Sequence, residues 1–87
     1  MRLRFLVTGR VQGVGFRYFA RRVATRLGIS GWVRNLPDGA VEAVADGSPD
    51  ALARFQEELR SGPTLAVVDT VRAADADPEV LEGFEIR

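Results

Sequence analysis

The sequence predicts an α+β sandwich in which two helices cover one face of an antiparallel sheet, in the order β-α-β-β-α-β with a short extra strand at the end. Apolar residues alternate with a period of two in the segments predicted as strands, and recur every three or four residues in two others. A Pro-Asp-Gly turn joins the two middle strands. This order is the ferredoxin-like, or split β-α-β, arrangement. Because 87 residues suffice for one modest core, we expect a single domain over residues 1–87.

The first strand and the first helix are predicted from their apolar spacing. Leu3, Phe5 and Val7 alternate with other residues and give the strand one apolar face. From Phe16 onward the spacing changes to three and four, which is typical of a helix, and Gly28 ends it. The apolar stripe of this helix is Phe16, Phe19, Ala20, Val23, Ala24 and Leu27, and its polar side is Arg21, Arg22, Thr25 and Arg26.

Residues 30–46 predict a hairpin, with Asn35 at the mouth of its turn. The second helix has clear start signals: Ser48 is a suitable cap, Pro49 suits the first helical position, and Asp50 lies in the first turn. Gly62-Pro63 ends that helix. The apolar face of the helix consists of Leu52, Phe55 and Leu59.

The last two strands are predicted less regularly. Residues 65–73 form a Val-rich segment with imperfect alternation, which indicates a bulge. Phe84 and Ile86 predict a short terminal strand after Gly83.

The composition excludes several kinds of chemistry. The chain has no cysteine and no histidine, so Ser–His and Cys–His catalysis, disulfides and zinc sites with these ligands are excluded. Twelve arginines balance twelve acidic residues, so the net positive charge expected of a nucleic-acid binder is absent. The acidic residues are scattered, and we assign them to solvent rather than to a metal site. No segment predicts a membrane span or a secretory signal, and we expect a cytoplasmic monomer.

The stretch VTGRVQGVGFR, residues 7–17, predicts an anion-binding loop. Its glycines let the backbone N–H groups of Gln12, Gly13, Val14, Gly15, Phe16 and Arg17 point into one concavity. The helix that follows has no capping side chain, and a cation in its first turn is unfavourable unless an anion lies beside it. The competing interpretation is a plain strand-to-helix turn with Arg17 in solvent. The glycine spacing matches neither a Walker loop nor a dinucleotide-binding fingerprint.

Asn35 has two interpretations. Asparagine commonly initiates turns by bonding to its own backbone, and this role alone would explain it. The β-α-β-β order also brings the end of the second strand near other chain segments, where an amide beside the loop can orient a water. Trp32 and the phenylalanines are interpreted as core residues.

Taken together, five motifs resemble the acylphosphatase family over nearly the whole chain. They are Gly9-x-Val11-Gln12-Gly13-Val14-Gly15-Phe16-Arg17, Gly31-Trp32-Val33-x-Asn35, Asp38-Gly39-x-Val41, Gly62-Pro63 and Gly83-Phe84-x-Ile86. The resemblance implies an enzyme that hydrolyses small acyl phosphates without metal or cofactor, with inorganic phosphate as product and inhibitor. It also implies that Arg17 and the loop N–H groups hold the phosphate while Asn35 positions the attacking water.

Three alternatives remain at the level of sequence. A non-catalytic ferredoxin-like anion-binding or regulatory module would share the fold, although Arg17 and Asn35 are both present. An RNA-binding sheet would need exposed aromatic residues on its central strands and a basic face, and neither is evident. The chain also resembles the front domain of larger carbamoyl-transferring proteins, but its length favours a free-standing enzyme.

Overall fold

The computed structural model describes all residues, Met1–Arg87. Five strands and two helices follow in the predicted order. Neither of the two helices has the length and hydrophobicity that a membrane-spanning helix requires. The elements are β1 (Arg2–Arg10), α1 (Phe16–Arg26), β2 (Ser30–Asn35), β3 (Val41–Asp46), α2 (Pro49–Ser61), β4 (Val67–Asp75) and β5 (Phe84–Ile86).

The strands form one sheet in the order β4-β1-β3-β2-β5. The four longer strands pair antiparallel, as the ferredoxin-like prediction requires. The short terminal strand pairs parallel with β2, so the sheet is antiparallel except at this edge. The segment between β4 and β5 therefore crosses from one edge of the sheet to the other, and it brings the end of β5 to the same end of the sheet as the loop before α1.

The core lies between the helices and one face of the sheet. Phe5 and Val7 of β1 are fully buried there, and the predicted stripe of α1 packs against them. The Phe5 and Phe55 rings meet edge to face with centroids 5.5 Å apart. The side chain of Ser48 caps α2 by accepting a bond from the Ala51 N–H at 3.1 Å, which confirms the predicted helix start.

The predicted bulge lies between β1 and β4. Thr8 pairs with Thr70, but Gly9 pairs with Val68, so Asp69 is an extra residue in β4. β4 runs over Val67–Asp75, two residues later at each end than predicted.

The face of the sheet away from the helices also carries buried residues, and it corrects one prediction. Trp32 is buried but lies outside the core cluster, beneath the Arg34 and Arg87 guanidinium groups, whose carbons are 5.2 and 4.7 Å from its ring centre. Its indole N–H donates to Glu79 at 3.0 Å. The assignment of every acidic residue to solvent is wrong for Glu42, which is buried on the same face and forms ion pairs with Arg4 and Arg34.

Candidate active site

The loop between β1 and α1 leaves its backbone donors without partners. Gly13 and Gly15 have φ of 74° and 79°, in the left-handed region that other residues adopt at a cost. Gly15 is the residue before the first turn of α1, and no side chain caps the helix. The first backbone N–H of this region that finds a backbone acceptor is that of Phe19, which donates to the Gly15 carbonyl at 3.0 Å. The N–H groups that precede it are therefore free to bind an anion.

Arg17 lies in the first turn of α1, which contains no acidic residue. Its side chain is partly exposed, and Nη1 donates a long bond of 3.4 Å to the Arg87 carbonyl just after β5. It forms no ion pair with an aspartate or glutamate. The cation and the positive end of the helix dipole therefore reinforce each other at this point, which favours a bound anion.

The Gln12 side chain fixes the hairpin that carries Asn35. Its Nε2 donates to the Leu36 carbonyl at 2.7 Å and to the Ala40 carbonyl at 2.9 Å, which ties the loop to the two sides of the β2–β3 turn. Within that turn Asp38 accepts a bond from the Ala40 N–H at 3.0 Å. This bridging role could not be predicted from the sequence, because both acceptors are backbone atoms 24 and 28 residues away.

Arg17 and Asn35 line one cavity of about 130 Å³, together with part of the predicted loop. Gln12 and Val14 are not among its lining residues, since Gln12 bonds to the hairpin and Val14 packs against the core. Val11 and Tyr18 line the cavity and were not predicted as site residues. The full lining is Val11, Gly13, Gly15, Phe16, Arg17, Tyr18 and Asn35.

The cavity is electropositive. No carboxylate is among its lining residues, and no three acidic side chains of the protein lie close enough together to hold a metal ion. Its lining residues supply the Arg17 guanidinium, the Asn35 amide and the Tyr18 phenol, and the loop adds its free N–H groups. This set can bind a phosphoryl group through charge-assisted hydrogen bonds and can stabilise additional negative charge on it.

Comparison with known proteins identifies the family. A family model described as Acylphosphatase matches residues 3–86. The chain belongs to the acylphosphatase family. Acylphosphatases of Trichormus variabilis and Thermus thermophilus are each 49% identical to it, over 100% and 98% of this chain and 86% and 97% of theirs. The crystal structure of acylphosphatase from Bacillus subtilis is 38% identical, with a TM-score of 0.94 over 99% of this chain and 97% of that one.

The family establishes the reaction. The protein is an acylphosphatase, an enzyme that hydrolyses the carboxyl–phosphate bond of acyl phosphates to a carboxylate and inorganic phosphate. The ferredoxin-like fold predicted from the sequence is confirmed by the acylphosphatase structure. Nothing in the comparisons favours a non-catalytic binding module.

Proposed function

We propose that Arg17 and the loop N–H groups of residues 12–17 hold the phosphoryl group while Asn35 positions the attacking water. The observation that carries this proposal is the shared cavity, in which a cation with no Asp or Glu partner, free backbone donors and one amide converge. The β1–α1 loop supplies the donors, α1 supplies the cation, and β2 supplies the amide.

The reaction needs little from the protein beyond positioning and charge stabilisation. The water oxygen attacks phosphorus, the bond between phosphorus and the carboxyl oxygen breaks, and the carboxylate leaves with the electron pair. A carboxylic acid has a pKa of about 4, so the leaving group needs no proton from a general acid. The transition state is loose, and its equatorial oxygens are stabilised by donors such as those of Arg17 and the loop.

The water proton passes to an oxygen of the substrate's own phosphoryl group in this proposal. The cavity offers no carboxylate that could take it, and the chain has no histidine. The products are then the carboxylate and a protonated inorganic phosphate, so charge and atoms balance without a protein base.

We propose that hydrolysis is independent of metal, because Arg17 and the loop donors supply the positive charge that a cation would otherwise provide. Treatment with a chelator, followed by assay with acetyl phosphate, is expected to leave the rate unchanged. A large loss that a divalent metal restores would contradict this proposal.

Single substitutions separate the two roles. Asn35→Ala is expected to reduce kcat by about a hundredfold or more, because water is no longer oriented, while competitive inhibition by inorganic phosphate persists. Arg17→Ala is expected to lose both activity and inhibition. Turnover, phosphate inhibition and thermal unfolding are measured on the same preparations. A folded Asn35→Ala variant with near-parental turnover would remove Asn35 from the mechanism.

The remaining proposals concern the domain organisation, oligomeric state, location and ligands of the enzyme. We infer a single catalytic domain over residues 1–87 that acts as a cytoplasmic monomer on small acyl phosphates, with inorganic phosphate as product and inhibitor. The zero net charge supports the absence of a nucleic-acid partner. Sedimentation at micromolar concentration tests the monomer, and a dimer would contradict it.

A further inference from the structure

The exposed face of α1 carries positive charge that no Asp or Glu side chain neutralises. Six of the twelve arginines form ion pairs with acidic residues. Of the six that do not, three lie close together on α1, namely Arg17, Arg21 and Arg22, whereas the others are spread over β1, α2 and β4. Three of the six arginines without an acidic partner therefore lie in the first half of the helix that begins at the active site.

Tyr18 joins this charged face to the active site. Its side chain is 63% exposed and lines the cavity that contains Arg17 and Asn35. It also lines a second, open cavity with Arg21, Arg22, Thr25 and Arg26. The two depressions therefore share one wall, and a ligand in the first can extend into the second.

The Arg21 guanidinium is held near that shared wall. Its central carbon lies 5.3 Å from the centre of the Tyr18 ring, within range of a cation–π contact. Arg17 and Arg21 are four residues apart on the same helix, which places their Cα atoms about 6 Å apart along the axis. Like charges at this spacing repel each other, so an anion bound between or beside them relieves the repulsion.

We propose that Tyr18, Arg21 and Arg22 bind a second anionic group on the acyl part of the substrate. The preferred substrates are then acyl phosphates whose acyl group carries a carboxylate or a further phosphate, because a guanidinium binds either through paired hydrogen bonds. The inference rests on the proposed function, since the acyl group reaches this face only when the phosphoryl group lies at Arg17.

The test compares two substrates that differ in one charge: para-carboxybenzoyl phosphate and its neutral methyl ester. The quantity measured is the ratio of their kcat/KM values, in which the folded fraction of each variant cancels. Comparing this ratio between variants also cancels the intrinsic reactivity of the two compounds. A para-phosphonomethyl substrate repeats the comparison with a phosphonate, and the larger arginine-dependent preference identifies the kind of anion that the face binds.

At low ionic strength, Arg21→Gln and Arg22→Gln are each expected to lower the ratio by about two- to fivefold, the size of an exposed ion pair. The double variant is expected to lower it further, and salt is expected to reduce the difference. Arg54→Gln is the matched control, because Arg54 is an exposed arginine of α2 without a carboxylate partner. It is expected to leave the ratio unchanged.

An unchanged ratio in the double variant would overturn this inference, as would an equal fall in Arg54→Gln, which would indicate attraction by overall charge. A different result would contradict the proposed function. It is contradicted if Arg17→Ala still hydrolyses the neutral ester at the parental rate, whatever the ratio is.

Discussion

Arg17 combines an unfavourable position for stability with a favourable one for binding an anion. A cation in the first turn of a helix costs about 0.3–1 kcal/mol against the helix dipole. The only bond that its side chain makes, to the Arg87 carbonyl, is exposed and 3.4 Å long, and it therefore contributes little. The residue thus adds no appreciable stability to the free protein, and in the proposed mechanism its favourable interactions form only with the phosphoryl group.

Removal of this cation is expected to abolish activity without lowering the stability of the protein. Arg17→Ala should unfold at the same temperature as the parent or slightly higher, because the unfavourable interaction with the helix dipole is removed. Arg17→Lys should not restore activity, since an ammonium lacks the planar set of donors of a guanidinium. Thermal unfolding and acetyl phosphate hydrolysis check both expectations. Unfolding of Arg17→Ala under assay conditions would instead assign the residue a structural role.

At the scale of elements, the site is an assembly of a loop, a helix start and a hairpin. The loop conformation depends on left-handed glycines, and the side chain of Gln12 ties it to the β2–β3 turn. The end of β2 then presents Asn35 to the same cavity as Arg17. The geometry of the site therefore depends on backbone conformation as much as on the two side chains.

Gly15→Ala tests the contribution of the loop backbone. An added Cβ would meet no atom within 4 Å, so its cost arises from the φ of 79° alone, and is expected to be about 1–2 kcal/mol of stability. The relaxed loop should also lower kcat/KM at least tenfold. Gly28→Ala is a matched control, because Gly28 has φ of 71° and equally open space at the other end of α1. It should lose similar stability but retain the activity of its folded fraction, and equal losses of activity would contradict the role of the loop.

At the scale of the whole molecule, both faces of the central strands β2 and β3 are covered. The helices cover one face. On the other face, Glu79 from the segment that precedes β5 accepts a hydrogen bond from the Trp32 indole and forms an ion pair with Arg87. Glu42 lies at the centre of the second face. Burial alone would raise the pKa of its carboxyl, but hydrogen bonds from Arg4 and Arg34 and their positive charges outweigh burial, so the pKa is lowered.

The lowered pKa predicts how stability depends on pH. Because the folded pKa of Glu42 lies below its unfolded value, its ion pairs stabilise the protein fully above the unfolded pKa of about 4.3. This contribution is lost as the pH falls through the folded pKa. Glu42→Gln is therefore expected to cost about 1–3 kcal/mol at pH 7, and the difference from the parent should shrink in acid.

Denaturant unfolding at several pH values measures this difference. Glu57→Gln serves as the control, since Glu57 forms only an exposed ion pair with Arg60 on α2, and it should cost less than about 1 kcal/mol. A Glu42→Gln variant whose deficit is the same in acid as at neutral pH would show that the ion pairs are not responsible.

The structural features that depend on the local spacing of residues were predicted correctly from the sequence. The elements, the Ser48 cap and the bulge follow from period, caps and turn residues, and all are confirmed. Glu42 was placed wrongly because a period of two separates the faces of a strand without showing which of them is covered. The parallel pairing of β5 and the bridge formed by Gln12 depend on partners distant in the chain. The convergence of Arg17 and Asn35 was anticipated from topology and resemblance, whereas the part played by Tyr18 in the cavity was not.

The central claim is that the free N–H groups of the loop and Arg17 bind the phosphoryl group. Titration of isotope-labelled protein with inorganic phosphate, followed by NMR of the backbone amides, tests it most directly. The account predicts saturable shifts that are largest for the amides of residues 12–17, together with the side-chain amide of Asn35, and it predicts their loss in Arg17→Ala. Shifts centred on another part of the molecule, or the same binding in Arg17→Ala, would contradict it.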